Sequence, residues 1–232
     1  MRAVLFTLIL LGVFGLKQSA AGELVVVEAH GVDLVPGQTV DDGQPLVLRD
    51  GQRVTLLAAN GNVMKLRGPY EQAPAAAAAA DASLSQSLSG LLVQSRARTS
   101  EVGVVRANNV QARLPDPWLI DVERAGTFCV RGDKPIVFWR EASRSQANVS
   151  VTSLDRSWKI TATWAEGADQ LKMLDMLMPQ RRATYLVEVE GNRAAITLNN
   201  VPAAVHTDQM RLAWMIEKGC QAQAEALSRT LQ

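Results

Sequence analysis

Few side chains in this 232-residue chain are suited to acid–base or metal chemistry. Its two histidines, His30 and His206, do not form H-x-x-x-H or H-E-x-x-H, the spacings that place two ligands on one metal ion. A serine triad needs a histidine beside its nucleophile, and the chain has no G-x-S-x-G turn. We therefore predict two exposed histidines, no metal site and no cofactor.

Two pairs of acidic residues are the remaining candidates for a general acid and a general base. Asp41 and Asp42 are adjacent in a turn sequence, and Glu188 and Glu190 alternate with apolar residues on a predicted strand. Both patterns are typical of solvated carboxylates. A glycosidase site built on paired carboxylates is the alternative.

The only two cysteines, Cys129 and Cys220, predict one disulfide if the chain is exported to an oxidising compartment. The bond would close a loop of about 90 residues, which stabilises a fold by about 4–5 kcal/mol in the chain-entropy model. The alternative is a pair of buried free thiols. Phe128 and Val130 flank Cys129 on a predicted strand and offer no charge that would activate its thiol as a nucleophile.

Residues 1–21 have the pattern of a signal peptide. A basic residue, Arg2, precedes an apolar run over 3–16, and small residues then predict cleavage after Ala21. The alternative is an uncleaved anchor, but the run is short of the roughly 20 residues that span a bilayer. Cleavage would leave no stable membrane span and a periplasmic or secreted chain.

The charge of the mature chain excludes some classes of partner. Cleavage removes Arg2 and Lys17 from 24 basic residues, which leaves 22 against 23 acidic ones. A chain so close to neutrality is not expected to bind nucleic acid, or to bind a membrane surface through a polybasic patch. The sequence leaves its oligomeric state open.

Residues 22–72 predict a small β meander. Asp42-Gly43, Asp50-Gly51 and Asn60-Gly61 are dipeptides typical of hairpin turns. The strands between them alternate, with six apolar residues predicted to point inward: Leu46, Leu48, Val54, Leu56, Met64 and Leu66. Four basic residues should then face outward and form the predicted partner surface: Arg49, Arg53, Lys65 and Arg67.

Within this meander, residues 31–68 resemble the FecR-like domain of exported bacterial envelope proteins. The resemblance lies in a pattern of turn glycines and core aliphatics, here Gly31, Leu34, Gly37, Asp50, Gly51, Val54, Leu56, Leu66 and Gly68. It implies a small β fold in an envelope protein. Regulators of that family carry a cytoplasmic anti-sigma segment before a transmembrane helix, where this chain has the export pattern.

The rest of the chain predicts a second β unit and a helical end. Residues 73–101 form an Ala/Ser-rich linker with a short helix predicted around 82–95. Short strands with turn signals over 102–205 predict an immunoglobulin-like antiparallel β-sandwich. Residues 206–232 predict a helical hairpin docked on it, capped by Thr207 or Asp208 and broken at Gly219.

These features support three hypotheses on function. The first is a non-enzymatic exported envelope protein that acts as a scaffold, sensor or binding module, with an envelope protein or a cell-wall polymer as its partner. The second is a cell-envelope hydrolase with an unrecognised carboxylate site. The third is a subunit of a secretion or surface assembly that docks through its helical C-terminus.

Overall fold

A computed structural model describes residues 22–74, 114–141 and 145–231. It is mainly β with two C-terminal helices, which confirms the predicted fold class. The predicted signal peptide, the linker helix at 82–95 and the domain boundary near 102 lie outside the described residues.

The N-terminal β unit contains six strands. They are β1 (Glu23–His30), β2 (Thr39–Asp41), β3 (Leu46–Leu48), β4 (Arg53–Leu57), β5 (Val63–Arg67) and β6 (Tyr70–Gln72). Four of them form an antiparallel sheet in the order β2-β1-β4-β5, and β3 pairs with β6.

Alternation along these strands builds the core of the unit, as the sequence predicts. The side chains of Leu48, Val54 and Leu56 are buried, with Leu24 and Val26 of β1 beside them. The other three predicted inward residues, Leu46, Met64 and Leu66, pack against the same cluster.

A β-sandwich follows, with eight strands among the described residues. They are β7 (Leu119–Asp121), β8 (Gly126–Arg131), β9 (Val137–Trp139), β10 (Ala147–Ser153), β11 (Lys159–Trp164), β12 (Gln170–Lys172), β13 (Arg182–Val189) and β14 (Asn192–Val201). One sheet has the order β11-β10-β13-β14-β8 and the other β12-β9-β7. The β14–β8 and β7–β9 pairs run parallel, which differs from the purely antiparallel sandwich that the strand spacing predicts.

The segment before β13 covers one end of the sandwich core with only part of its apolar residues. Met173 and Leu177 are buried in the core, whereas Leu174 and Met176 are 60% and 58% exposed. Met176 and Leu177 lie in a short 3-10 turn, Asp175–Leu177, which sets successive side chains about 120° apart and directs these two to different sides.

The chain ends in a helical hairpin, α1 (Asp208–Lys218) and α2 (Gln221–Thr230). Thr207 caps α1 by accepting a hydrogen bond from the Met210 amide. Gly219 ends α1 in the left-handed conformation with φ of 76°, so both predicted boundaries are confirmed.

Both helices pack inside the molecule, between the N-terminal unit and the sandwich. Val25, Val27 and Leu57 of the first unit share one apolar cluster with α1, α2 and Val201. The Thr207 hydroxyl also donates to the Ala59 carbonyl at 3.1 Å, which ties the β4–β5 turn to the start of α1.

Two glycines allow the N-terminal unit to approach this closely. At Gly37 an added Cβ would lie 2.8 Å from Pro202 Cγ, and at Gly61 it would lie 3.0 Å from the Gln209 carbonyl oxygen. Both glycines have positive φ, so a side chain at either position would strain the backbone and press on the neighbouring unit.

Candidate functional site

A cleft of about 680 Å³ opens where the three parts of the molecule meet. We call it the junction cleft. Its walls come from the N-terminal unit (Glu28, Val35, Pro36, Gly37, Gln38), the sandwich (Gln180, Arg181, Arg182, Asn199, Asn200, Pro202) and α1 (Trp214, Glu217, Lys218). Clefts at the junction of structural units are common places for ligands.

Three buried polar atoms on its wall residues have no hydrogen-bond partner among the described residues: Trp214 Nε1, Asn200 Oδ1 and Glu217 Oε1. Trp214 is 2% exposed and the Glu217 side chain 10% exposed. Leaving such a group unpaired costs about 1–3 kcal/mol, so buried polar atoms are nearly always bonded. The cleft residues therefore carry one unused donor and two unused acceptors.

The other polar atoms of the same side chains are engaged. Asn200 Nδ2 donates to the Gln180 carbonyl at 3.3 Å, and Glu217 Oε2 is 2.9 Å from Lys65 Nζ. Asn200 and Glu217 are thus each held in place by one polar atom, while the other is buried without a partner among the described residues.

Lys218 fixes the helical wall of the cleft to β1. Its Nζ donates to the Val27 carbonyl at 2.6 Å and lies 4.9 Å from the centre of the Trp214 ring. Val27 is the extra residue of a β-bulge, so the lysine bonds a carbonyl displaced from the regular ladder. Burial lowers the pKa of Lys218, while the neighbouring Glu28 and Glu217 carboxylates oppose that shift.

A second cleft of about 470 Å³ lies alongside and shares Asn200 and Pro202 with the first. Both of its arginines have an acidic partner, since the Arg131 guanidinium pairs with Asp133 and Arg211 Nη1 lies 2.7 Å from Asp208 Oδ1. Among the described residues, its lining carries two unpaired buried atoms, Arg211 Nε and the shared Asn200 Oδ1, against three in the junction cleft. We therefore regard the junction cleft as the candidate site.

The predicted partner surface is assembled only in part. All four residues, Arg49, Arg53, Lys65 and Arg67, are exposed. Arg53 and Arg67 are directly opposite in the β4–β5 register, and Lys65 lies two residues along β5 on the same face. Arg49 follows β3 in a turn, so we define the basic face as Arg53, Lys65, Arg67 and also His30, which is opposite Arg53 on β1.

Lys65 differs from the two arginines because it connects the N-terminal unit to α1. It pairs with Glu217 of α1, a residue far away in the chain. Arg53 and Arg67 have no ion pair with any residue of 22–74, 114–141 or 145–231.

The four acidic residues considered for the alternative glycosidase site make local contacts, with Glu190 Oε1 4.0 Å from Arg140 Nη1. Asp41 and Asp42 accept hydrogen bonds from the Gly43 and Gly22 amides. Glu188 pairs with Arg193 at 2.8 Å, and that hydrogen bond lowers the pKa of Glu188.

The two histidines, His30 and His206, are exposed, as predicted. Over the described residues no group of three His, Cys, Asp or Glu side chains is placed to hold a metal ion.

The predicted cysteine pair forms a disulfide, with Cα atoms 5.8 Å apart. Beside it, Gln223 of α2 is fully buried and fully bonded. Its Oε1 accepts from the Cys129 amide at 2.5 Å, and its Nε2 donates to the carbonyls of Cys129 and Leu119 at 3.0 and 3.3 Å. We call this arrangement the closed cluster.

No helix in the described part of the chain has the length and apolar character needed to cross a membrane. No family model matches the sequence, and no curated protein is significantly similar to it. The FecR-like character of residues 31–68 therefore stays a prediction that depends on their turn glycines and core residues.

Proposed function

We propose that this chain is a non-enzymatic exported protein of the bacterial envelope that acts as a binding module through the junction cleft. The observation that carries the proposal is the set of unpaired buried atoms on Trp214, Asn200 and Glu217. Each of these atoms has less than 1 Å² of accessible surface, so a ligand with both donors and acceptors would pair them after a local movement of the cleft wall.

The composition of the cleft favours a polypeptide segment of an envelope protein over a cell-wall glycan. Extended backbone supplies alternating N–H donors and C=O acceptors. The one aromatic ring of the cleft, Trp214, is buried and covered by Lys218, so a sugar has no open ring face on which to stack. Val35, 44% exposed at the rim, offers a contact for an apolar side chain.

Two further features support the location. A disulfide is typical of oxidising compartments such as the periplasm. The predicted signal peptide and the FecR-like pattern point to the same compartment. We propose a periplasmic or secreted chain on these grounds.

The test is site-specific photo-crosslinking in the envelope. A photoreactive amino acid replaces Arg181, which is exposed at the cleft, and in the matched control it replaces Leu154, which is 63% exposed and lies outside both clefts. We expect a discrete adduct from position 181, none from position 154, and loss of the adduct when Trp214→Phe is added. The same adducts from both positions would contradict the proposal.

One observation favours the cell-envelope hydrolase as a second candidate. Glu28 and Glu217 both line the junction cleft, so two acidic residues belong to one site. Purified protein that releases fragments from isolated cell wall, with the release abolished by Glu28→Gln, would replace the binding proposal with this one.

The burial of the two helices gives less support to the third hypothesis, a subunit that docks through its helical C-terminus. Six residues of α1 and four of α2 are buried against the chain itself. Docking through the C-terminal hairpin would therefore have to use its polar residues.

A further inference from the structure

Strand β5 is an edge strand with a row of unused backbone groups. In the β4–β5 ladder, the Gly68 amide bonds Gln52 and the Ala58 amide bonds Asn62, each at 2.9 Å. Antiparallel ladders alternate bonded and non-bonded pairs, so Met64 and Leu66 bond to β4 in this register. The backbone groups of Val63, Lys65 and Arg67 therefore point away from β4.

No strand of the described residues pairs with that side of β5, and no hydrogen bond to the N–H or C=O groups of these three residues exists within the same residues. We call this row the β5 edge. The opposite edge of the sheet, β2, is three residues long and ends in Asp41. The β5 edge is the longer of the two and the basic one.

The side chains beside the edge are cationic. Lys65 and Arg67 on an edge strand are a common protection against unwanted strand pairing. That explanation does not cover Arg53, which lies on the inner strand β4 directly opposite Arg67. Like charges in opposite positions destabilise a sheet, so this pair implies a counter-charge supplied from outside.

We propose that an acidic, extended segment of a partner protein adds to the β5 edge as a further strand. The unused backbone groups require an extended polypeptide, and the opposed arginines require carboxylates. In an antiparallel addition, alternate residues of the partner lie opposite Arg67, Lys65 and Val63. Lys65 is already paired with Glu217, so the segment should carry an acidic residue opposite Arg67 and an apolar residue opposite Val63.

A second copy of this chain fits this edge poorly. Pairing two β5 edges would bring Lys65 and Arg67 of one copy against the same residues of the other. No residue of the β5 edge lines the junction cleft. A negative result at the β5 edge would therefore leave the proposal for the cleft unchanged.

The test uses the full mature chain and two blocked nine-residue peptides. In one, glutamate alternates with threonine, and in the other lysine replaces each glutamate. We expect the glutamate peptide to bind at least about tenfold more tightly, a ratio equal to about 1.4 kcal/mol. We also expect it to slow hydrogen exchange at the Lys65 and Arg67 amides.

Two sets of variants separate the charge from the backbone. The double variant Arg53→Glu, Arg67→Glu should reverse the preference toward the lysine peptide. Arg67→Pro should bind more weakly than Arg67→Ala, because both lose the charge but only proline loses the outward N–H. Thermal unfolding of each variant checks that it is folded. We expect all of them to fold, because the replaced side chains are exposed.

Three results would overturn the proposal. One is equal affinity for both peptides, and another is binding without added protection of the two amides. The third is slow exchange of those amides in the free chain, because the edge would then be covered by the chain itself.

Discussion

The helical hairpin has buried polar side chains at the closed cluster and at the junction cleft, and these two places differ in how many of their polar atoms are hydrogen-bonded. In the closed cluster, Gln223 makes three hydrogen bonds to Cys129 and Leu119, beside the disulfide. At the junction cleft, Trp214, Glu217 and Asn200 each keep one buried atom unpaired.

Burial alone does not separate the two places, since Gln223 and Trp214 are both almost fully buried. The difference lies in hydrogen bonding. The closed cluster fastens α2 across the edges of β7 and β8 and has no capacity left for a ligand. In the free chain, each unpaired atom at the cleft lowers the stability of the fold by about 1–3 kcal/mol, and pairing it with a ligand would remove that cost.

The largest effect should come from opening the closed cluster at its covalent bond. The double variant Cys129→Ala, Cys220→Ala should lose about 4–5 kcal/mol of unfolding free energy, because the disulfide closes a long loop. Urea denaturation of both proteins measures the difference. A loss below about 1 kcal/mol would mean that packing alone holds the hairpin.

Removing the amide of the closed cluster should come next. Gln223→Leu should cost about 2–4 kcal/mol, because it leaves the Cys129 amide and two carbonyls buried without partners. Gln221→Leu, at a half-buried position on the same helix, is the matched control and should change stability much less. Equal effects of the two substitutions would show that the buried amide has no special role.

A pair of glycine substitutions tests the contact between the N-terminal unit and α1. Gly51→Ala should cost about 1 kcal/mol from its φ of 77° alone, since no atom lies within 4 Å of the added Cβ. Gly61→Ala has a similar φ but presses on Gln209 of α1, so it should cost about 2 kcal/mol or more. Equal destabilisation in urea melts would mean that the two units are only loosely packed there.

The smallest effect on stability is expected inside the cleft. Trp214→Phe removes an indole N–H that bonds nothing among the described residues, so relief of the unpaired group offsets the lost packing and the net change should stay within about 1 kcal/mol. A loss as large as that of Gln223→Leu would show that the indole is bonded in the free chain, and the contrast between the two regions would disappear.

Local patterns in the sequence predicted the elements well. Val54 and Leu56 alternate inward, and Thr207 and Gly219 mark the ends of α1, because these features depend only on neighbouring residues. The disulfide followed from there being two cysteines and an export pattern.

The candidate site was not predictable in the same way. It depends on contacts between residues far apart, such as Lys65 with Glu217 and Lys218 with Val27. The predicted basic surface identified the outward residues correctly but could not show that Lys65 is engaged by α1. No local pattern marks Trp214 or Asn200, since an unpaired buried atom is visible only once the surrounding elements are in place.

The most direct test of the open cleft is the indole N–H resonance of Trp214, recorded by nitrogen-15 NMR before and after addition of the partner captured through position 181. Trp164 is an internal control, because its indole nitrogen is also buried and unpaired but lies in the sandwich core. We predict a downfield shift of the Trp214 resonance, as its N–H gains an acceptor, and an unchanged Trp164 resonance. A bound complex in which neither resonance moves would contradict the assignment of the junction cleft as the binding site.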